Sequence, residues 1–190
     1  MEYSSIQPKI KTIRDKKGIK FQKMNKNTYN ISFLLENKNC VLSSLVDFEL
    51  MNLMYKLNSD VYESIDIEKV NETESNITLI LKKVFYDFLP QKYAYLNIKK
   101  SITNNIITFH SEIIKNCKPK CVSDLLEPVN IETILNTFEI VDHHKIIFDC
   151  TLVFNDNIQV PAIFDKLFAA LINKMFLRFK QFIELLKPEY

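Results

Sequence analysis

Glycine is nearly absent from this chain, since Gly18 is the only one among 190 residues. One glycine excludes the glycine-rich dinucleotide-binding loop, and no P-loop, GxSxG or HExxH motif is present either. Turns that need a positive φ must therefore be formed mainly by Asn or Asp. Because none of these motifs supplies catalytic residues, the sequence favours a non-enzymatic role over catalysis.

Signals for export and membrane insertion are missing as well. No apolar stretch follows the start of the chain, so we expect no secretory signal. Charged residues, among them Asp165, Lys174 and Arg178, interrupt the C-terminal apolar stretch, which excludes a transmembrane span there. We therefore expect an intracellular protein, in the cytoplasm or in an organelle matrix.

In such a compartment the four cysteines are expected to be reduced. Two of them, Cys117 and Cys121, lie on either side of a Lys-Pro-Lys loop, without the CxxC spacing of zinc sites. His143 and His144 follow downstream, but adjacent histidines seldom bind the same ion. The sequence therefore predicts no metal site and no cofactor.

The net charge of +2 is unevenly distributed along the chain. Residues 1–28 contain eight basic and two acidic residues, whereas the remainder contains 17 basic and 21 acidic residues. We interpret residues 1–27 as a basic N-terminal arm, either a solvated tail or a contact for an anionic membrane surface. Since few aromatic residues are interleaved with these bases, specific nucleic-acid recognition is not favoured.

Residues 28–190 are expected to form one domain with an aromatic core, because the chain contains 14 Phe and eight Tyr. Apolar residues recur every three or four positions within residues 40–57, which predicts a helical segment of one or two pieces. Elsewhere, short alternating runs favour one antiparallel sheet over βαβ units. The predicted strands cover 29–35, 61–70, 77–85, 93–99, 106–114, 131–141 and 145–154, with a hairpin turn at 142–144.

The longest periodic segment, residues 159–187, predicts a C-terminal helix that begins near Pro161. A broad apolar stripe runs along this helix, and polar residues, including Lys174 and Arg178, occupy the opposite side. Only a strongly curved sheet or a partner protein can cover so broad a stripe. We therefore predict an α+β fold, in which a curved antiparallel sheet of six or seven strands grips the helix and the earlier helical segment closes one end.

This order of elements resembles the START-like or Bet v 1-like helix-grip superfamily over residues 28–187. The chain is similar to lipid-binding and polyketide-cyclase relatives, and in particular to a little-characterised plastid and cyanobacterial branch. The resemblance implies a cavity for a sterol, phospholipid, pigment or polyketide-like molecule. Three segments carry the resemblance. They are the run SFLL at 32–35 with the helical segment that ends at Leu57, residues 138–140, and residues 148–154 with Val160-Pro161 before the last helix.

The resemblance thus implies non-enzymatic binding or transport of a hydrophobic small molecule between sheet and helix. The alternative is a protein-interaction or assembly factor on the same fold that holds no ligand. Met175 lies at mid-helix on the apolar stripe, where we expect the cavity to be widest. The residues predicted to bind the ligand are Phe109, Phe138, Phe148, Cys150, Leu152, Phe154, Leu171, Met175 and Phe179.

Overall fold

The computed structural model describes residues 10–83, 91–114, 117–155 and 162–187. These residues contain two α-helices, α1 (Phe48–Lys56) and α2 (Ala162–Leu185), and a 3-10 turn at Leu42–Ser44. They also contain ten strands: β1 (Lys11–Lys16), β2 (Ile19–Lys23), β3 (Thr28–Glu36), β4 (Tyr62–Asn71), β5 (Glu74–Leu81), β6 (Lys92–Thr103), β7 (Ile106–Ile113), β8 (Glu127–Pro128), β9 (Ile131–Asp142) and β10 (Lys145–Phe154).

The strands form one sheet in the order β1-β2-β3-β10-β9-β7-β6-β5-β4, and all of these neighbours are antiparallel. The short β8 pairs with β6 in parallel. The predicted antiparallel sheet around a C-terminal helix is confirmed. The predicted count of six or seven strands is wrong, because the described residues contain ten, with β1, β2 and β8 as the additions.

The β1–β2 hairpin lies inside residues 1–27, which the sequence indicated to be a basic arm. Its two-residue turn, Lys17-Gly18, has φ values of 55° and 72°, the geometry of a tight hairpin turn that favours glycine at its second position. β2 pairs with β3, and the side chains of Ile19 and Phe21 are fully buried in the core. Residues 11–23 are therefore part of the sheet.

Hairpins elsewhere in the sheet are built without glycine. Asn104 has a φ of 54° in the two-residue turn between β6 and β7, a region that Asn tolerates. In the turn between β9 and β10, Asp142 Oδ1 accepts a hydrogen bond of 2.7 Å from the backbone N–H of His144. The hairpin turn predicted at residues 142–144 is thereby confirmed.

The helical segment predicted at residues 40–57 is confirmed as two short pieces. α1 begins after Asp47, whose Oδ1 accepts a hydrogen bond of 2.9 Å from the backbone N–H of Leu50. This N-cap satisfies one of the free donors in the first turn of the helix. Further along α1, Met54 and Tyr55 are buried in the core.

Polar contacts hold α2 against the sheet at both of its ends. Asp165 Oδ1 accepts a hydrogen bond of 2.6 Å from the Tyr29 hydroxyl, and Asp165 Oδ2 pairs with Lys23 Nζ at 3.1 Å. Asp165 is only 7% exposed, although its helical phase indicated the polar side. At the other end, Asn37 Nδ2 donates to the Ile183 carbonyl oxygen at 2.7 Å. Both ends of α2 are thus fixed, and apolar packing connects its middle to the sheet.

Two predicted boundaries cannot be compared with the structure. The start of the C-terminal helix at residue 159 and the end of the strand at 77–85 both lie outside the described residues. Within the described part of the chain, no helix is long and apolar enough to cross a membrane.

Candidate ligand-binding cavity

A cavity of about 210 Å³ lies between α2 and the sheet. Strands β5, β6, β9 and β10 form one wall and α2 forms the second. The third is formed by α1, the turn before β4, the first residue of β4 and Val129 before β9. The sheet wall consists of Leu79, Leu81, Ala94, Leu96, Ile131, Ile134, Asn136, Cys150 and Leu152. The other walls consist of Met54, Tyr55, Asn58, Val61, Tyr62, Val129, Phe168, Leu171, Ile172, Met175 and Phe176.

The cavity lies where inward positions of the sheet carry small or medium-sized side chains. Asn136 on β9 is the cross-strand partner of Cys150 on β10, and both residues are buried in the cavity wall. Two positions further along β9 and β10, Phe138 and Phe148 are cross-strand partners, and their ring centroids are 4.9 Å apart. Ala94 on β6 adds another small side chain to the wall. The space is therefore open where rings are absent from the sheet.

The other half of the concave face is filled by rings. Phe148 lies at the centre, with four other rings at centroid distances between 4.8 and 6.2 Å. We call this set the aromatic cluster; its members are Phe33, Phe109, Phe138, Phe148, Phe176 and Phe179. We call the side of the concave face with the aromatic cluster the filled half and the side with the cavity the hollow half. Phe176 also lines the cavity and thus marks the boundary between the two halves.

The described wall of the cavity contains no charged side chain. Burial raises the pKa values of Tyr55, Tyr62 and Cys150 above their ordinary values, so these groups keep their protons at neutral pH. Asn58 Nδ2 donates to the Met54 carbonyl oxygen at 2.8 Å. The wall is therefore neutral and nearly all apolar, with a few polar groups that can form hydrogen bonds.

The cavity reaches the surface beside α2. Leu171 lines the cavity but is 37% exposed, and Met175, one turn later, is half-buried. Next to this opening, Asp60 Oδ2 accepts hydrogen bonds from Lys174 Nζ at 2.8 Å and from Arg178 Nη2 at 3.0 Å. This ion pair joins the turn between α1 and β4 to α2, at the edge of the hollow half.

The arginine and lysine also change the acidity of Asp60. The Arg178 guanidinium, and to a smaller extent Lys174, hold the pKa of Asp60 well below its usual value. Asp60 is therefore ionised at neutral pH, and both cations have a carboxylate partner. Their side chains lie on the solvent side of α2, as the sequence indicated.

The structure brings four of the nine predicted binding residues to the cavity, namely Cys150, Leu152, Leu171 and Met175. The other five do not line it. Phe109, Phe138, Phe148 and Phe179 are fully buried within the aromatic cluster. Phe154 instead makes edge contacts with the rings of Tyr29 and Phe168. These five rings pack against other rings, so they lie beside the cavity and are not part of its wall.

Sequence reasoning missed most of the cavity wall. Leu79, Ala94 and Leu96 come from strands that were predicted, yet their role in a cavity was not. The missed signal was the small residue at an inward position of a strand, which Ala94 and Asn136 both provide. Tyr55 and Tyr62 were missed because they belong to a helix and a strand whose relative position the sequence does not reveal.

The residues considered for metal binding are dispersed in the structure. Cys117 and Cys121 are both exposed on the loop before β8. His144 Nδ1 lies 2.8 Å from the Cys40 carbonyl oxygen and thereby joins the β9–β10 turn to the segment after β3. Within the described residues, no group of three or more His, Cys, Asp or Glu side chains is arranged to hold a metal ion.

No protein-family model and no curated protein matches this sequence. Solved structures do match. The human StarD13 (DLC2) lipid transfer and protein localization domain has a TM-score of 0.70 at 11% identity, over 94% of this chain and 90% of that chain. Human StAR-related lipid transfer protein 5 has a TM-score of 0.69 at 8% identity, over 95% and 88%. A STAR-related lipid transfer protein fragment from Xanthomonas axonopodis has a TM-score of 0.63 at 11% identity, over 92% and 98%.

The chain therefore has a helix-grip fold, with a curved sheet around a C-terminal helix. More particularly, its fold is that of the START domains, as the order of predicted elements indicated. At identities of 8–11%, the likeness concerns the fold. The site must therefore be argued from the residues of this chain.

Proposed function

We propose that this protein binds and carries an uncharged hydrophobic small molecule in the cavity between α2 and the sheet. The observation that supports this proposal is a cavity of about 210 Å³ whose described wall has no charged side chain. Empty volume in a protein interior lowers stability, since the side chains around it lack contacts on one side. A bound apolar molecule would restore those contacts and stabilise the folded chain.

The volume of the cavity restricts the ligand. Small-molecule sites commonly measure roughly 300–1,000 Å³, whereas an apolar cavity of about 150 Å³ holds benzene. The cavity of about 210 Å³ therefore fits a single ring with a short chain. A sterol or phospholipid would require α2 to move away from the turn before β4, which Asp60 joins to it.

The likeness of fold also supports a hydrophobic ligand. The similar human and Xanthomonas proteins carry the names of lipid transfer domains or proteins. Further parts of the proposed role stay predictions from the sequence: an intracellular location, and contact between the basic N-terminal residues and an anionic membrane. In the hairpin, Lys11, Lys16, Lys17 and Lys20 are exposed, so they are accessible for such a contact.

Isothermal titration calorimetry with butylbenzene and phenylbutanol, each a single ring with a short chain, tests the proposal. The wild-type protein, stripped of lipid, is expected to bind at least one of them saturably. Met175→Trp places a larger side chain in the cavity wall, so the affinity for that ligand should fall by at least about tenfold. Native mass spectrometry of protein purified from its own source would then detect a bound small molecule.

Leu185→Trp is the matched control for this variant. Leu185 is on the same helix, is 76% exposed and does not line the cavity, so its replacement should leave the affinity unchanged. The proposal fails if the wild-type protein binds neither butylbenzene nor phenylbutanol, or if Met175→Trp binds them as tightly. A stoichiometric protein partner in the native mass spectrum would then favour the alternative of an interaction or assembly factor.

A further inference from the structure

One buried side chain in the cavity wall has no partner for either of its polar atoms. Asn136 is 1% exposed and lines the cavity, and neither its Nδ2 nor its Oδ1 has a hydrogen-bond partner among the described residues. A buried amide without partners destabilises a fold, and such groups are rare in proteins.

A second polar atom without a partner lies on the same face of the sheet. Ser111 on β7 is fully buried, and its Oγ has no hydrogen-bond partner among the described residues. Its cross-strand partner on β9 is Ile134, two positions from Asn136. Ser111 is thus a diagonal neighbour of Asn136, within the range of contacts across a sheet. On the other side, Asn136 faces the buried, protonated thiol of Cys150.

Asn136 and Cys150 thus form a small polar patch on the sheet side of a nearly apolar cavity, and Ser111 lies behind the wall beside them. An amide supplies two donors through Nδ2 and an acceptor through Oδ1, and neither is used by the protein. The complementary ligand group must therefore both donate and accept a hydrogen bond. It must also be uncharged, because no charged side chain in the described wall could neutralise an ion there.

We propose that Asn136 recognises a hydroxyl or carboxamide group on the ligand, and that the ligand enters the cavity with this polar group first. This inference rests on the proposed function, since it assigns a chemical class to the same ligand. The apolar part of the molecule then lies against α2, with its far end towards the opening at Leu171 and Met175. The ligand is thus a small neutral amphiphile, a monocyclic or short-chain alcohol or amide.

Four ligands with one carbon skeleton test the inference by isothermal titration calorimetry on the full chain at neutral pH. Phenylbutanol and phenylbutanamide carry the proposed groups, butylbenzene carries none, and phenylbutyrate is an anion. The quantity compared is the ratio of the affinity for the alcohol, or for the amide, to the affinity for butylbenzene. This ratio should be at least about tenfold lower in Asn136→Leu than in the wild-type protein. Phenylbutyrate should bind the wild-type protein at least about tenfold more weakly than the amide.

Asn76→Leu is the matched control, because it makes the same substitution at a half-buried position of β5 that does not line the cavity. It should leave the ratio of the alcohol to butylbenzene affinities unchanged. Asn136→Ala repeats the measurement if Asn136→Leu does not fold, and it should lower the ratio in the same way.

The outcomes separate this inference from the proposed function. If butylbenzene binds but the ratio is the same in the wild-type protein and the Asn136 variants, the cavity is a binding site and the inference is wrong. An ordered water bound to Asn136, in place of a ligand group, predicts that same unchanged ratio. Equal binding of phenylbutyrate and the amide also overturns the inference. If none of the four ligands binds the wild-type protein, the proposed function fails and the inference fails with it.

Discussion

The filled and hollow halves of the concave face share the same strands and the same helix. In the filled half, Phe138 and Phe148 are cross-strand partners and are fully buried against other rings. In the hollow half, two residues away on each strand, Asn136 and Cys150 are cross-strand partners and line the cavity. Because the backbone pairing continues unchanged between the two pairs, side-chain size decides which half is filled.

The polar contacts differ between the halves as well. In the hollow half, Asn136 has no partner for its amide among the described residues, and the exposed ion pair of Asp60 with Lys174 and Arg178 lies beside the opening. In the filled half, Asn37 Nδ2 bonds to the last turn of α2 at 2.7 Å. The comparison indicates that stability is concentrated in one half of the core, while the other retains the volume and unpaired groups that binding requires.

The largest expected effect comes from removing the central ring of the filled half. Phe148→Ala should lower the free energy of unfolding by about 3–5 kcal/mol, because it deletes a fully buried ring in contact with four others. Urea denaturation followed by circular dichroism measures this change. A loss below about 2 kcal/mol would contradict tight packing of the aromatic cluster and remove the distinction between the halves.

The same substitution, Leu to Ala, made once in each half compares their packing. Leu35 is 1% exposed and does not line the cavity, whereas Leu152 is 6% exposed and lies in the cavity wall. Leu35→Ala should cost about 4 kcal/mol and Leu152→Ala about 2 kcal/mol, since Leu152 already lacks contacts on one side. Urea denaturation of both variants gives the difference. Equal costs would mean that the cavity is closed in solution.

Much of this arrangement could be predicted from the sequence. Alternation over long runs, as in residues 145–154, predicted strands that the structure contains, and the stripe on residues 159–187 predicted the long helix. The excess of basic residues indicated an arm over residues 1–27, with at most a short strand at 19–21. Only the pairing of β2 with β3, which buries Ile19 and Phe21, makes the β1–β2 hairpin part of the sheet.

The position of the cavity was harder to predict than the fold. Alternation identifies which side chains face inward, but it does not show which of them meet one another across the core. Phe109, Phe138 and Phe148 do face inward, yet they contact other rings and leave no space. Cys150 and Leu152, which face inward on the same strand, have no ring partner and line the cavity. Register and side-chain volume must be considered together to separate these two outcomes.

A third test replaces one residue of α2 by Trp in each half, which adds side-chain volume there. Met175→Trp should change the free energy of unfolding by less than about 1 kcal/mol, because the indole can occupy the cavity. Ile183→Trp, at a position that is 2% exposed and outside the cavity, should cost about 1–3 kcal/mol or more through overpacking. Thermal and urea denaturation measure both. Similar destabilisation by the two variants would show that Met175 is close-packed core, which would contradict the hollow half.

The smallest expected effect on stability concerns the ion pair at the opening. Asp60→Asn should lower the free energy of unfolding by less than about 1 kcal/mol at neutral pH, because the pair is exposed to solvent and screened. Since the folded chain holds the pKa of Asp60 below its usual value, the carboxylate stabilises the fold above the unfolded pKa near 3.9. The advantage of the wild-type protein over the variant should therefore decline as the pH falls below about 4.

The same variant separates the stability of the fold from access to the cavity. Asp60 joins the turn before β4 to α2, and both elements line the cavity, so its loss should accelerate release of indole, a compact neutral fluorophore, in stopped-flow experiments. Since the chain contains no Trp, indole fluorescence reports on the ligand. Glu72→Gln, which removes an exposed ion pair with Lys69 between β4 and β5, is the control and should leave the release rate unchanged. An unchanged rate in Asp60→Asn would mean that ligands leave by another route. A faster rate with nearly unchanged stability would show that the hollow half opens while the aromatic cluster keeps the chain folded.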